Sequence, residues 1–552
     1  MFKLFWFVGI CLMTCSVSAQ DLLGETLHKK FPTNGEALYP YEFLDIEGRW
    51  LYPTHDPVVK LPGGTFAQLW RPDKISRRER IIRKYNVLME LLWQADFKLE
   101  REEEIIHVFP VDTVIQVLTS QWSTDQKAHQ VYLRAFSVND GEALETRKIW
   151  QIPGAYYQDP WVTRSEDGQI FGLFYLYGKR ENTSPNFKYP YVDLEGQVGF
   201  QAQGVSSVRV ATFDLSGKMK DQFHVVLNRK EKEIVMGCQI DNEGNGYLTS
   251  YVRKRKLRVR KFEGLGKSKE LTYDAGVEVY DYADPETALL PGLIGKDQKV
   301  YFAFSEESKK GFLNKIEQFR IVEFDFGSES IDTSRVIPIN PALHIRVNKD
   351  REAFGLKPKR RFEQYALREL LEMPDGKMWL ITQKYIDNSY LGGGIEDKSA
   401  ILEQTLEELV LYGFDERGKV RHALVVPTAQ SISSTNERMG HVYDLHIDQD
   451  LGVMRFVTRE KSGDKLRGPE RVYLRTLDLD TFEVSDRMEI YDGSRREQFL
   501  LHAYTEWINS DILTLTVLEG LPGRVHTVTI NVSSEELPEM DVQAENDRRR
   551  RR

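Results

Sequence analysis

The 552 residues carry 75 Lys and Arg against 84 Asp and Glu, a formal net charge of −9, and so modest a negative balance excludes bulk electrostatic attraction to nucleic acid. The 25 Tyr, 28 Phe and nine Trp supply aromatic surface for a large core. Of the three cysteines, Cys11 and Cys15 fall near the start, so a processed chain keeps Cys238 alone and forms no internal disulfide.

Residues 1–19 read as a secretory signal: Lys3, an apolar run from Leu4 to Met13, then Val17-Ser18-Ala19 as a small-residue exit before Gln20. The run is too short to span about 30 Å of hydrocarbon, and no later segment is apolar enough to cross a bilayer. Leu12-Met13-Thr14-Cys15 departs from a lipoprotein box, which wants Gly, Ala or Ser before the cysteine. The expected location is secreted or periplasmic. Residues 20–46 then form an N-terminal extension, 47–535 the folded body and 536–552 a disordered tail. Its end, Arg548 to Arg552, is five like charges that repel one another and bury no apolar area. Asn182-Thr183-Ser184 and Asn531-Val532-Ser533 are glycosylation sequons.

Along the body, short apolar or alternating runs are separated by Asp/Asn/Gly turns, the signature of many short antiparallel strands. Gly63-Gly64, Glu166-Asp167-Gly168, Asn242-Glu243-Gly244 and Pro374-Asp375-Gly376 each precede a strand. A second set follows a strand: Val138-Asn139-Asp140-Gly141, Phe213 to Gly217, Phe324 to Gly327, Phe414 to Gly418 and Leu477 to Asp480. Tight hairpins need positive φ or a capping side chain, which Gly and Asp provide. Two hairpins in sequence make a four-stranded meander, and its repetition resembles the β-propeller class. The Gly-His and Trp-Asp signatures of WD40 repeats and a regular kelch double-Gly are absent.

The predicted fold is all-β: one propeller of about eight four-stranded blades, at 53–103, 104–153, 154–230, 231–275, 276–345, 360–430, 438–496 and 498–535, with seven the alternative count. The last unit has three strands, and Glu47 to Tyr52 is expected to supply the missing one and close the ring. Arg80 to Leu92 is read as strands, Ile401 to Val410 as a short inserted helix, and 345–362, which contains Pro358, as a connecting loop.

Asp-Pro recurs near the start of alternate units, at Asp56-Pro57, Asp159-Pro160 and Asp284-Pro285. The pattern resembles that of five-bladed glycoside hydrolases, in which an inner-strand Asp before Pro begins a blade and carboxylates from different blades flank the sugar. The resemblance implies Asp56, Asp159 and Asp284 as catalytic residues, in a chemistry where one carboxylic acid protonates the leaving oxygen and a second carboxylate attacks or activates water. The blade count departs from that family, and no equally clear motif marks the acid, for which Glu286 and Glu506 are offered. Capping of a strand start explains the same dipeptide, because Pro tolerates the first strand position.

Asp444, His446 and Asp448 alternate on one strand and share a face; about 6.6 Å between alternate residues is too far for a single metal ion, so a hydrogen-bonded wall is expected. Together with Trp161 they are the candidate ligand-binding residues. Asp241 to Gly246 has the first half of a calcium loop, but Val252 stands where the bidentate Glu belongs. Gly392 to Ser399 lacks the Gly before Lys of a phosphate loop. Arg253 to Lys261 holds seven basic residues, read as an exposed outer hairpin or an anion site. Cys238 stands in an apolar strand and reads as a buried structural thiol. The leading functional reading is an exported, monomeric binding or scaffold protein that recognises a protein or glycan partner through blade loops; a carbohydrate-active hydrolase is the alternative. No metal is expected, and the residues name no cofactor.

Overall fold

The computed structural model describes the strands within 21–30 and 35–37 and most of 58–532; the longer stretches outside the description are 1–20, 38–57, 73–77, 154–159, 179–185, 193–197, 275–291, 359–364, 392–399, 434–442, 462–469, 492–497, 501–505 and 533–552. The chain forms a single β-propeller. Seven blades are each a four-stranded antiparallel meander drawn from one stretch of chain: 58–98, 103–153, 161–226, 233–274, 292–338, 365–433 and 443–491. Seven self-contained blades match the alternative count.

The eighth expected unit is a composite sheet that closes the ring. Glu506–Trp507, Ile512–Glu519 and Arg524–Asn531 pair in order, and the N-terminal strand Gly24–Lys30 completes the sheet against Arg524–Asn531. Closure by the N-terminus therefore holds, but with a strand twenty residues upstream of the expected Glu47–Tyr52, which lies outside the described residues. A further short strand, Gly35–Ala37, pairs with Thr65–Pro72 of blade 1.

Every seam between neighbouring sheets is filled by alternate side chains of both. Val59, Leu69 and Ile82 of blade 1 meet Ile105, Val117 and Phe136 of blade 2; at the closing seam Ile508 meets Val58, Phe66 and Tyr85. Burying such a side chain stabilises by about 1.5–3 kcal/mol, so the ring stands on packing, with Cys238, the cysteine among the described residues, unpaired. Gly141 shows how tight a seam is. Its φ of +77° suits a residue without a Cβ, and an added Cβ would stand 2.6 Å from Trp93 Cε3 of the neighbouring blade.

Blades 2 and 4 repeat a buried polar clamp in the same register. Glu103 opens strand 1 of blade 2 and accepts bonds from the Thr119 hydroxyl on strand 2 and from Arg134 Nη2 on strand 3 at 2.7 Å. In blade 4 Glu233, Ser250 and Arg260 make the same bonds. Each arginine stands opposite the residue two before the hydroxyl, Val117 and Leu248. Turn spelling does not reveal this repeat, because its members are some fifteen residues apart and differ in hydroxyl type.

Two expected elements change. Ile401–Val410 is no helix: Glu403–Phe414 is a strand paired with Met378–Asp387 and Val420–Ser433, since the run Leu409 to Tyr412 is fully buried between sheets and that burial overrides local helix propensity. The loop expected from 345 begins instead inside a helix, α1, Pro341–Ala353. Asn340 caps it, accepting from Leu343 N at 3.0 Å, and Pro341 fits the first helical turn. Arg351 of α1 is buried and paired with Glu408, which also accepts from the Tyr365 hydroxyl at 2.7 Å. Within the run read as strands, Arg80 to Tyr85 and Leu91 to Leu92 lie in two paired strands, as expected.

Candidate functional site

The pairing gives the propeller two unlike faces. In each blade the strand 1–2 and 3–4 turns lie at one end, and the strand 2–3 and blade-to-blade connections leave from the other. On the first face the strands are joined by tight Asp/Gly turns that are bonded to one another: Asp167 N donates to Asn242 Oδ1 at 3.0 Å, Gln298 Nε2 donates to Glu243, and Lys296 N donates to Glu372 Oε2 at 2.7 Å. Blades 3 to 6 are thus laced turn to turn.

The opposite face takes every long excursion. Between strands 2 and 3 of blade 3 the chain makes a hairpin, Asn186–Val192 and Val198–Gln203, whose second strand pairs with strand 1 of blade 4. Strand 1 is the innermost of a blade, so the hairpin extends blade 4 toward the ring's axis. The connections 275–291 and 339–364 also start and finish on this face, as does the insertion between Asp387 and Glu403.

Strand 1 of blade 7, Tyr443–Asp448, starts at that face and alternates as its sequence predicts. Tyr443, Leu445 and Ile447 pack into the blade 6 seam, leaving Asp444, His446 and Asp448 for the closing sheet. His446 stacks on Trp507 with ring centroids 4.8 Å apart and planes 14° from parallel, and the Arg455 guanidinium stands 5.0 Å from the same indole centroid. Arg455 also donates to the Ser510 carbonyl and lies 3.8 Å from Asp448 Oδ2. Asp448 Oδ1 accepts from Leu451 N at 3.0 Å. The three side chains thus face the closing sheet, with the Trp507 indole between His446 and Arg455.

Asp444 is 7% exposed. Burial, and then Glu506 of the closing sheet and Glu369 of blade 6, push its carboxyl well above the ordinary carboxylate range, against a smaller opposing effect of the Trp507 indole. Burial and then Arg455 bring the His446 imidazole down to about 4. His446 is therefore neutral at pH 7, and at Asp444 the protonated form is favoured over its ordinary balance. A protonated carboxylic acid beside two further carboxylates can donate a proton or a hydrogen bond.

The remaining candidates fall elsewhere. Trp161 opens strand 1 of blade 3 and packs, half-buried, against the seam with blade 4, across the ring from Asp444 and His446. Asp56, Asp159 and Asp284 lie outside the described residues, as does 392–399. Glu369, Tyr443, Arg455 and Trp507 carry no motif and become visible only when three sheets are assembled.

Asp241 is used up within its turn. It accepts from Glu243 N at 3.0 Å, Asn245 N at 2.8 Å, Asn245 Nδ2 at 2.8 Å and the Tyr247 hydroxyl at 2.9 Å, a capped hairpin. Among the described residues no group of three His, Cys, Asp or Glu is placed to hold a metal ion. Of the basic run, 253–255 lies outside the described residues; its remainder is in the third strand of blade 4, Lys256–Glu263, where Arg258 and Arg260 are buried and paired with Glu231, Glu233 and Glu270 and are no exposed anion site. Cys238 is buried in the blade 3–4 seam, and burial raises its thiol pKa well above the usual value. Among the described residues no helix is long and apolar enough to cross a membrane.

No protein family matches the chain, and no curated protein does. Among solved structures it is similar to prolyl oligopeptidase B from Galerina marginata (TM-score 0.38, 10% identity, over 83% of this chain and 54% of that one), so it spans about half of that enzyme's length. It is also similar to Sqt1 of Saccharomyces cerevisiae (TM-score 0.38, 9% identity, 87% of this chain and 96% of that one). A third is the WD40 domain of SCAP from fission yeast (TM-score 0.33, 8% identity, 87% and 93%). Likenesses this distant transfer no residue and no activity.

Proposed function

We propose that the chain is an exported, monomeric binding protein that recognises a glycan or protein partner on the face of long connections. The observation that carries this reading is the asymmetry of the two faces. One is a floor of short turns laced by hydrogen bonds, and the other gathers the hairpin 186–203 and the longest connections, an arrangement in which a rigid ring presents variable loops. Export rests on Lys3, the run Leu4–Met13 and Val17-Ser18-Ala19. A glycan is the first partner class to test, by array binding of the mature protein. Specific retention of one glycan class supports the reading, and silence on the array turns the search to protein partners.

A second reading, a carbohydrate-active hydrolase, is favoured by Asp444, a buried acid whose pKa is raised by burial and then by Glu506 and Glu369, at the same face. A reducing-sugar assay on bound glycans, with Asp444→Asn and Asp159→Asn variants, separates the two. Release that either substitution abolishes supports catalysis, and binding without release leaves a lectin-like role.

A further inference from the structure

On the laced face, the outer corner between blades 6 and 7 gathers positive charge around an aromatic step. His422 of blade 6 stacks on Phe482 of blade 7 with ring centroids 3.6 Å apart and planes 17° from parallel, and Trp379 stands 6.3 Å from the imidazole. Three cations surround the step from three elements. Arg346 comes from α1 and donates to the Arg421 carbonyl at 3.1 Å. Arg421 lies on strand 4 of blade 6 with 57% of its side chain exposed, and Lys377 lies beside its 1–2 turn with 54% exposed.

Two carboxylates offset part of this charge, because they pair with Arg421 and Lys377 themselves. Asp415 holds Lys419 N and Arg421 Nε, and Asp375 holds Lys377 N and Nζ. Burial first, and then Arg346, Lys377 and Arg421, lower the His422 pKa below its ordinary value. A positive corner on a protein of net charge −9 is a local field, not a consequence of composition.

We propose that this corner binds an oxyanion, a sulfate or carboxylate group carried by an acidic polysaccharide. The Arg346 and Arg421 guanidinium groups match the planar geometry of such oxyanions and Lys377 adds a point charge, while the edge of the His422–Phe482 step offers an apolar surface for the sugar beside it. Arg421 and Lys377 are more than half exposed, so a single free ion gains little there, whereas a polymer re-presents its anions at high effective concentration. The site lies on the opposite face from the partner surface proposed above and stands without it.

The test measures binding of the full mature chain to a sulfated oligosaccharide, to its unsulfated counterpart, to inorganic sulfate at equal sulfate concentration and to polyglutamate. The parent is expected to bind the sulfated oligosaccharide most tightly, with affinity that falls as salt rises. The pair Arg346→Gln and Arg421→Gln together is expected to weaken it about tenfold or more, roughly 1.4 kcal/mol, whereas Arg83→Gln, on the outer part of blade 1, leaves it within about twofold. His422, followed by NMR, is expected to titrate at higher pH in the complex. Equal binding by the double variant, or an unmoved His422 titration, overturns the site. Equal binding of inorganic sulfate or of the unsulfated sugar overturns the acidic polymer as ligand, and tighter binding of polyglutamate assigns the corner to an acidic peptide instead.

Discussion

His446 lies flat against Trp507, 4.8 Å between ring centroids, and this stack joins the last self-contained blade to the sheet that closes the ring. The imidazole is neutral there because burial and Arg455 bring its pKa down to about 4. An unfolded histidine titrates near 6.5, so between those values the unfolded chain binds the extra proton. The contribution of His446 to stability is full above about pH 6.5 and is lost as pH falls toward 4. His446→Phe keeps a ring on Trp507 and removes the titration, so its melting temperature is expected to fall less than the parent's between pH 6.5 and 4.5. Parallel melting curves across that range check this.

Asp444 acts with the opposite sign. Its folded pKa is raised, so above the ordinary carboxylate range the folded state holds a proton that the unfolded state has released, and stability declines as pH rises. Asp444→Asn is expected to match the parent near pH 4 and to exceed it in melting temperature at pH 8. Equal parent and variant curves at pH 8 would mean that the fold does not raise the carboxyl pKa.

The clamps of blades 2 and 4 hold carboxylates with almost no exposure, and breaking such a pair on one side strands a buried charge. Glu103→Ala and Arg134→Met are each expected to destabilise by about 3–5 kcal/mol. The double variant Glu103→Leu with Arg134→Met should cost less than either, because no charge is left behind. Denaturant titration of the four proteins gives the coupling directly.

Gly141→Ala combines a positive φ with a Cβ 2.6 Å from Trp93. The indole is fixed by its bond to the Val138 carbonyl at 2.8 Å, so it gives way poorly. The expected cost is about 2 kcal/mol or more. A parallel Gly64→Ala, where φ is +67° and no atom lies within 4 Å of the added carbon, reads the backbone part alone, and the difference between the two measures the seam.

The architecture was legible because hairpin turns are local. Gly168, Gly244, Gly376 and Gly418 all take positive φ where the Asp/Gly turns were read, and each marks a hairpin of its blade. The composite closure was legible in kind but not in place, since nothing local distinguishes Gly24–Lys30 as the partner of Arg524–Asn531. Asn340-Pro341 did carry a helix start, overshadowed by the charged stretch that follows. Alternation placed Asp444, His446 and Asp448 on one face, but Trp507 and Glu369 reach them across tens of residues and Arg455 from the paired strand, and only assembly of the ring shows what the wall encloses.

The measurement closest to the central claim is binding to an array of uncharged glycans by the chain from residue 20 beside a variant in which 179–205 is replaced by a short Gly-Ser linker and a variant carrying Asn242→Ala on the laced face. Retention of a glycan class by the parent and by Asn242→Ala, with loss in the hairpin variant, is the predicted result. Binding that survives removal of the hairpin unchanged, or that disappears with Asn242→Ala alone, would contradict the assignment of recognition to the face of long connections.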